Sequence, residues 1–314
     1  MTNVTLLCRN VTTFAKDGSL DEGAFRAYLQ RFVDAKIGVY LASAGSGEGH
    51  ALSWDELRRV YEIGVEVCKG KVIVAANPPE QHTAAGSIAH AAHAVAAGVD
   101  QVNICGPAGW HGFRPTDAEF LTYYDDVLDA IKHPVALAPN AVIGYTPRAA
   151  LIAEVANRHP QVDAINLLEL GDTYVINLKE QLKRDVAINV SVPGALQTLS
   201  LGATGLLGAQ ANIIPKTFRR FIDALEQQDA IERDRAYAEI LKFIQFFQQW
   251  PGGNPRALKM AMHVLALPGA EGGLRKPYLM PAAAEVERFK DGLLRMRLPE
   301  IDEQARAAGL SLPA

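Results

Sequence analysis

The chain has 314 residues and a mass of 33.9 kDa, enough to bury a large core without a disulfide or metal staple. Hydrophobic residues make up 49% and charged residues 21%, and 31 basic against 35 acidic side chains leave a formal charge of −4. That balance argues against a nucleic-acid partner, and the longest apolar runs are too short to span a bilayer. Cys8, Cys68 and Cys105 lie far apart and form no CxxC pair, which predicts neither a disulfide framework nor a zinc ribbon and suits a cytoplasmic setting. The start, MTNVTLLCRNVTTF, has no charged opening followed by a long apolar run, so no signal peptide is expected.

Short apolar β-prone runs then alternate with helix signals. The first run is residues 4–7, and Ser19 with Glu22 has capping-box spacing before the helical stripe Phe25, Leu29, Phe32, Val33. Runs at 38–41 and 72–75 follow, with Ser53 and Glu56 spaced as a second capping box between them. Runs at 101–104 and 135–137 flank a third, Thr116 with Glu119. Thr146-Pro147 reads as a cap followed by proline at the first helical position, and Asp172 as the cap after the run at 164–167. Runs at 186–190 and 205–208 complete eight. Short and nearly all apolar, they read as parallel strands covered on both faces. Eight such units predict a (β/α)8 TIM barrel over residues 1–225, with a doubly wound open sheet as the alternative.

Past Phe218 no strand is expected. Residues 229–250 read as one long helix with the stripe Ile240, Phe243, Ile244, Phe247, broken by Pro251-Gly252-Gly253. Residues 256–265 and 282–294 read as two more helices, and 307–314 as a frayed tail. The expectation is a C-terminal helical domain, 226–314, packed on the barrel.

Barrel chemistry sits on loops after the strands' C-terminal ends. Those positions hold Arg9, Asn10, Asn77, His82, Trp110, His111, Arg114, Asn140, Tyr145, Asn166, Glu169, Asn189, Ser191, Gln210 and Asn212. The sharpest feature is residues 43–50, with glycines at 45, 47 and 49. Free N–H groups of Gly45, Ser46 and Gly47 would cradle a carboxylate; the plainer reading is a tight turn without a ligand. No Gly-Lys-Ser/Thr follows, so it is no Walker loop, and His50 occupies the third glycine position of a dinucleotide fingerprint. The strand-end amides could orient a carbonyl or stabilise an oxyanion, or serve only as hydrogen-bond partners within the mouth. Glu48 and Glu169 are the carboxylates best placed for proton transfer, and Arg114 could pair a second substrate carboxylate. His50, His82 and His111 with Glu48 match no metal signature, so no metal or cofactor is expected.

Gly45-Ser46-Gly47-Glu48 followed by Leu52-Ser53-x-x-Glu56 resembles the Gly-Thr-Thr-Gly-Glu segment of the dihydrodipicolinate synthase / N-acetylneuraminate lyase family. Asp17-Gly18-Ser19-Leu20-Asp21 resembles that family's first turn. Gly202-Ala203-Thr204-Gly205 with Ala211-Asn212-Ile213-Ile214-Pro215 resembles its eighth unit. Asn254-Pro255 and Gly273-Leu274-Arg275-Lys276-Pro277 resemble its helical part. The resemblance implies a barrel with a C-terminal helical domain, usually a tetramer, in lyases that handle 2-oxo acids.

The departures carry the functional argument. The family's lysine on strand 6 forms a Schiff base in a Gly-Ile-Lys-Glu-x-x-Gly-Asp setting. Counting back from Gly171-Asp172 puts Leu167 there, and leucine cannot form an imine. The strand-5 Tyr-Asn-x-Pro motif is replaced by Leu137-Ala138-Pro139-Asn140, and the first threonine of the glycine segment by Gly45. Lys179, Lys183, Lys216 and Lys259 fall on or after helices, where a solvated lysine stays charged. The expectation is a small-molecule lyase of aldolase, hydratase or dehydratase type working without an imine, with Glu48, Asn140 and Asn166 catalytic. Gly45, Ser46, Gly47, His111, Arg114, Leu167, Ser191 and Gln210 would bind substrate. The alternatives are a non-catalytic carboxylate binder and a metal-assisted aldolase or hydratase.

Overall fold

The computed structural model describes residues 4–313. Eight parallel strands close a barrel in chain order: β1 Thr5–Arg9, β2 Gly38–Leu41, β3 Val74–Ala76, β4 Gln101–Cys105, β5 Val135–Ala138, β6 Val162–Leu167, β7 Ala187–Ser191 and β8 Gly205–Gly208. β1 pairs with both β2 and β8, so the open-sheet alternative is excluded. The eight sequence runs are these strands, displaced at most by one or two residues at an end.

The surrounding helices are α1 Glu22–Asp34, α2 Trp54–Cys68, α3 Ala84–Ala97, α4 Asp117–Ala130, α5 Ala149–Arg158, α6 Gly171–Gln181, α7 Ala195–Ser200 and α8 Pro215–Gln227. The capping boxes Ser53/Glu56 and Thr116/Glu119 both form with both hydrogen bonds present. The first expected box does not. Asp17 holds the Ser19 hydroxyl and amide at 2.7 and 2.9 Å, and Asp21 caps α1 through Ala24 N–H. Thr146 and Asp172 are not caps either: Arg148 precedes α5 and Leu170 precedes α6, with Asp172 inside the first turn. There its carboxylate still complements the helix dipole.

Four further helices follow: α9 Ala230–Gln248, α10 Gly253–Val264, α11 Ala283–Arg295 and α12 Pro299–Ala307. Phe243, Phe246 and Phe247 of α9 meet Trp250 and Phe289 in one aromatic knot that joins α9 to α11. α12 is absent from the sequence expectation. Its buried Glu300 accepts from the N–H groups of Lys216 and Thr217 at 3.0 and 2.7 Å. It thereby caps α8, whose own Ile214 cap position offers no side-chain acceptor. No helix among the described residues is long and apolar enough to cross a membrane.

Candidate functional site

Inside the barrel, side chains from five strands and from Asn77, the residue after β3, form one continuous polar belt. Thr5 donates to Asn189 Oδ1 at 3.2 Å, and Asn189 donates to Asn166 Oδ1 at 2.8 Å. Asn166 donates to Asn103 Oδ1 at 2.9 Å, and Asn103 to Asn77 Oδ1 at 2.7 Å. Tyr40 closes the chain, its hydroxyl donating to the same Asn77 oxygen at 2.6 Å. All four asparagines are buried. A buried amide is tolerated only with partners, and here each supplies the next. β8 makes room for this: a Cβ on Gly205 would stand 2.0 Å from Asn189 Oδ1 and 2.2 Å from Thr5 Oγ1. Leu7, Tyr40, Ala75 and Leu207 form an apolar cluster inside the ring, and Leu168 packs against it.

The belt borders a cavity of about 400 Å3 at the barrel mouth. Tyr40, Asn77, Asn103 and Asn166 line it, with Arg9, Glu80, Cys105 and Leu168. Burial pushes the Glu80 carboxyl up, and its Oε1 lies 3.9 Å from Cys105 Sγ. Burial likewise raises the Tyr40 phenol and the Cys105 thiol well above their ordinary values, so both are neutral hydrogen-bond groups near neutral pH. Arg9, the last residue of β1, is pulled below its ordinary value by burial, and its Nε is buried without an acceptor. No oxygen among the described residues accepts from its guanidinium. Nothing in local sequence marks Glu80 or Cys105; topology alone carries them to the mouth.

The expected site residues divide. Asn166 belongs to the belt, and Asn140 and Gly45 line the same cavity. Asn140 also caps a short 3-10 turn through Val142 N–H at 3.1 Å. The other positions lie elsewhere. Leu167 packs in the core outside the ring and lines a separate hollow with Val175 and Val190. Pleat alternation explains this. Asn166 faces inward, so Leu167 faces the helices and the next inward side chain is Leu168. Ser191 lines that outer hollow, its hydroxyl accepting from Glu169 N–H at 3.3 Å. Gln210 reaches toward Asn254, at 3.5 Å, joining the loop after β8 to α10. His111 and Arg114 are exposed on a loop whose Phe113 is 83% exposed, and Arg114 lines an outer hollow of about 510 Å3 beside α3 and α4.

The glycine loop is chiefly a turn. A Cβ on Gly49 would lie 1.9 Å from the Ala42 carbonyl oxygen, and one on Gly47 2.7 Å from Ser43 N. Their N–H groups are engaged, Gly47 with Ser43 Oγ at 3.3 Å and Gly49 with the Ser43 carbonyl at 3.2 Å. Gly47 therefore leaves the expected cradle, and only the N–H groups of Gly45 and Ser46 lack an acceptor among the described residues. Glu48, buried at φ 51°, braces the loop. It accepts from Arg275 N–H at 3.0 Å and stands 3.6 Å from Lys259 Nζ. Lys259 is not the solvated helix lysine expected from sequence: it is 1% exposed, and burial lowers its pKa to about 8. It donates to the carbonyls of Thr12 and Gly273 and does not line the mouth cavity. His50 and His82 each bond a backbone carbonyl, and among the described residues no three His, Cys, Asp or Glu side chains converge as metal ligands.

The profile of the dihydrodipicolinate synthetase family matches residues 4–294. An uncharacterized DapA-like lyase of Rhizobium meliloti is 24% identical over 292 residues, covering 92% of this chain and 94% of its own. A 4-hydroxy-tetrahydrodipicolinate synthase of Hyphomonas neptunium is 28% identical over 281 residues, covering 87% and 92%. Among solved structures, YagE, a prophage protein of the dihydrodipicolinic acid synthase family from E. coli K12 in complex with pyruvate, superposes with a TM-score of 0.84. It is 19% identical, over 94% of this chain and 99% of its own, a likeness of fold.

Proposed function

The chain belongs to the dihydrodipicolinate synthetase family, and from that premise we propose that it is a lyase acting on a 2-oxo acid or related carbonyl compound without a lysine imine. The observation that carries the reading is the mouth cavity itself, which has leucine at the inward position ending the sixth strand's run and no lysine in its lining. Imine catalysis draws electrons into a cationic nitrogen. Without it, an enolate oxygen must hold the electron pair of the breaking carbon–carbon bond, or, in a dehydration, the pair of the carbon–hydrogen bond that loses its proton, while the carbon–oxygen pair leaves with the departing water. The Tyr40 hydroxyl spends its proton on Asn77 Oδ1, so the donors bordering the cavity are the remaining N–H groups of the Asn77 and Asn103 amides. One such donor is worth roughly 10²–10³ in rate.

Glu80 is the proton carrier of this reading, in place of Glu48, because burial holds its carboxyl nearer the working pH and it opens onto the cavity. A positioned acid/base contributes roughly 10²–10⁴-fold. Asn140 and Asn166 act here as positioning groups. A homo-oligomer, dimer or tetramer, in the cytoplasm completes the proposal. The apolar side chains of Trp110 and Phe113, 65% and 83% exposed, support a second copy at that loop.

The test is twofold. Borohydride with pyruvate should add no mass to the protein, and a panel of 2-oxo acids should contain a substrate whose turnover falls about 10²-fold or more in Glu80→Gln. A stable pyruvate adduct would sink the non-imine chemistry. A panel turned over nowhere would leave a carboxylate-binding protein in place of the enzyme.

A further inference from the structure

We infer that Arg9 is the anchor for the substrate's carboxylate, and that it holds a single carboxylate of a small ligand with the neighbouring carbonyl turned toward Tyr40 and Asn77. The inference deepens the proposed function, resting on it for the carbonyl but not for the carboxylate.

Three observations converge on Arg9. It lines the mouth cavity at the C-terminal end of β1, where barrel ligands bind. Its side chain is half-buried, with no carboxylate in ion-pair contact and with Nε buried and unpartnered. The competing glycine cradle is reduced: the Gly47 N–H is consumed inside the turn, which leaves only those of Gly45 and Ser46.

A guanidinium withdrawn in part from water, with a buried N–H and no counter-ion, is unfavourable, and folded proteins pair such charges. The missing partner is supplied from the cavity. Its planar fork matches a carboxylate bidentately, which a lysine does not. Glu80 and Glu169 line the same cavity, so one positive charge faces two carboxyl groups. That disfavours a dianion such as phosphate and favours a monocarboxylate. Orientation follows from register. Arg9 pairs with Tyr40 across β1 and β2, so a carboxylate on Arg9 brings the adjacent carbon beside the Tyr40 end of the belt.

Ligand titrations on the wild type, Arg9→Met and Arg9→Lys test this, with thermal shift and calorimetry as readouts. The probes are pyruvate, propionate, pyruvamide and inorganic phosphate. Wild type should bind pyruvate, bind propionate more weakly, and bind neither pyruvamide nor phosphate at comparable concentration. Arg9→Met should lose about 10- to 100-fold in pyruvate affinity, the worth of a charge-assisted pair. Without ligand it should melt no lower than wild type, because a half-buried, unpaired charge has been removed. Arg9→Lys should fall between, and it carries the test if the methionine variant does not fold. Unchanged pyruvate affinity in the variants, or a wild type that binds no carboxylate, overturns the anchor. Propionate bound as tightly as pyruvate in an Arg9-dependent way leaves the anchor standing and sinks the 2-oxo acid reading instead.

Discussion

The polar belt makes single amides expensive to remove. In Asn166→Ala, Asn103 Oδ1 and Asn189 Nδ2 would each lose a buried partner. An unsatisfied buried group costs about 1–3 kcal/mol, so the variant should lose about 2–6 kcal/mol in urea unfolding. A loss under 1 kcal/mol would mean that water replaces the amide freely. The neighbouring leucines separate by the same pleat. Leu167→Lys puts an ammonium into the apolar layer under the helices and should cost several kcal/mol without reaching the mouth. Leu168→Lys faces the cavity and should give, at most, a slow imine with pyruvate trappable by borohydride. Trapping in Leu167→Lys but not Leu168→Lys would reverse this assignment. Counting from Gly171-Asp172 points to Leu167, whereas period-2 alternation from Asn166 points to Leu168. The second signal was legible in the sequence, because it needs only the strand's pleat.

At the scale of the element, the glycine loop shows how a motif can be conformational. Gly49→Ala forces a Cβ against the Ala42 carbonyl and should lower stability by well over 1 kcal/mol. Gly45→Ala adds its methyl to open space at an ordinary φ and should change stability by less than about 0.5 kcal/mol. Equal effects at the two positions would contradict this division of labour. Spacing makes three glycines visible but does not say which one touches its own chain. Capping behaves likewise. Ser53 and Thr116 cap as their spacing indicates because no nearer acceptor competes, while Ser19 is taken by Asp17. The cap of α8 comes from Glu300 on α12, 83 residues away from Thr217 in the chain, and no local pattern announces it.

Across the whole molecule, the helical part is tied to the barrel through Lys259, which bonds the carbonyl of Thr12 after β1 and faces Glu48 of the glycine loop. Desolvation lowers its pKa to about 8 from an ordinary 10.5, although Glu48 opposes the shift. The unfolded chain therefore binds more protons between about pH 8 and 10.5. The stability contributed by this group is lowest below about 8 and rises through that window. Denaturant unfolding of wild type and Lys259→Met should show the difference moving in favour of wild type from pH 8 to 10.5. A flat difference would show that the buried lysine titrates like a free one.

The sequence by itself determined the eight strands to within two residues at their ends and made the barrel the leading arrangement, because eight short apolar runs separated by helix caps read as parallel strands; the pairing of β1 with β8 closed it. It also determined the absence of a lysine at the end of β6, since neither Leu167 nor Leu168 has an amine. Only the tertiary structure decided which residues meet. The belt joins residues as distant as Thr5 and Asn189, and the unpaired state of Arg9 and the burial of Glu80 and Lys259 are properties of neighbours. Local sequence encodes backbone preference, while charge pairing and desolvation depend on what the closed ring brings within a few ångströms.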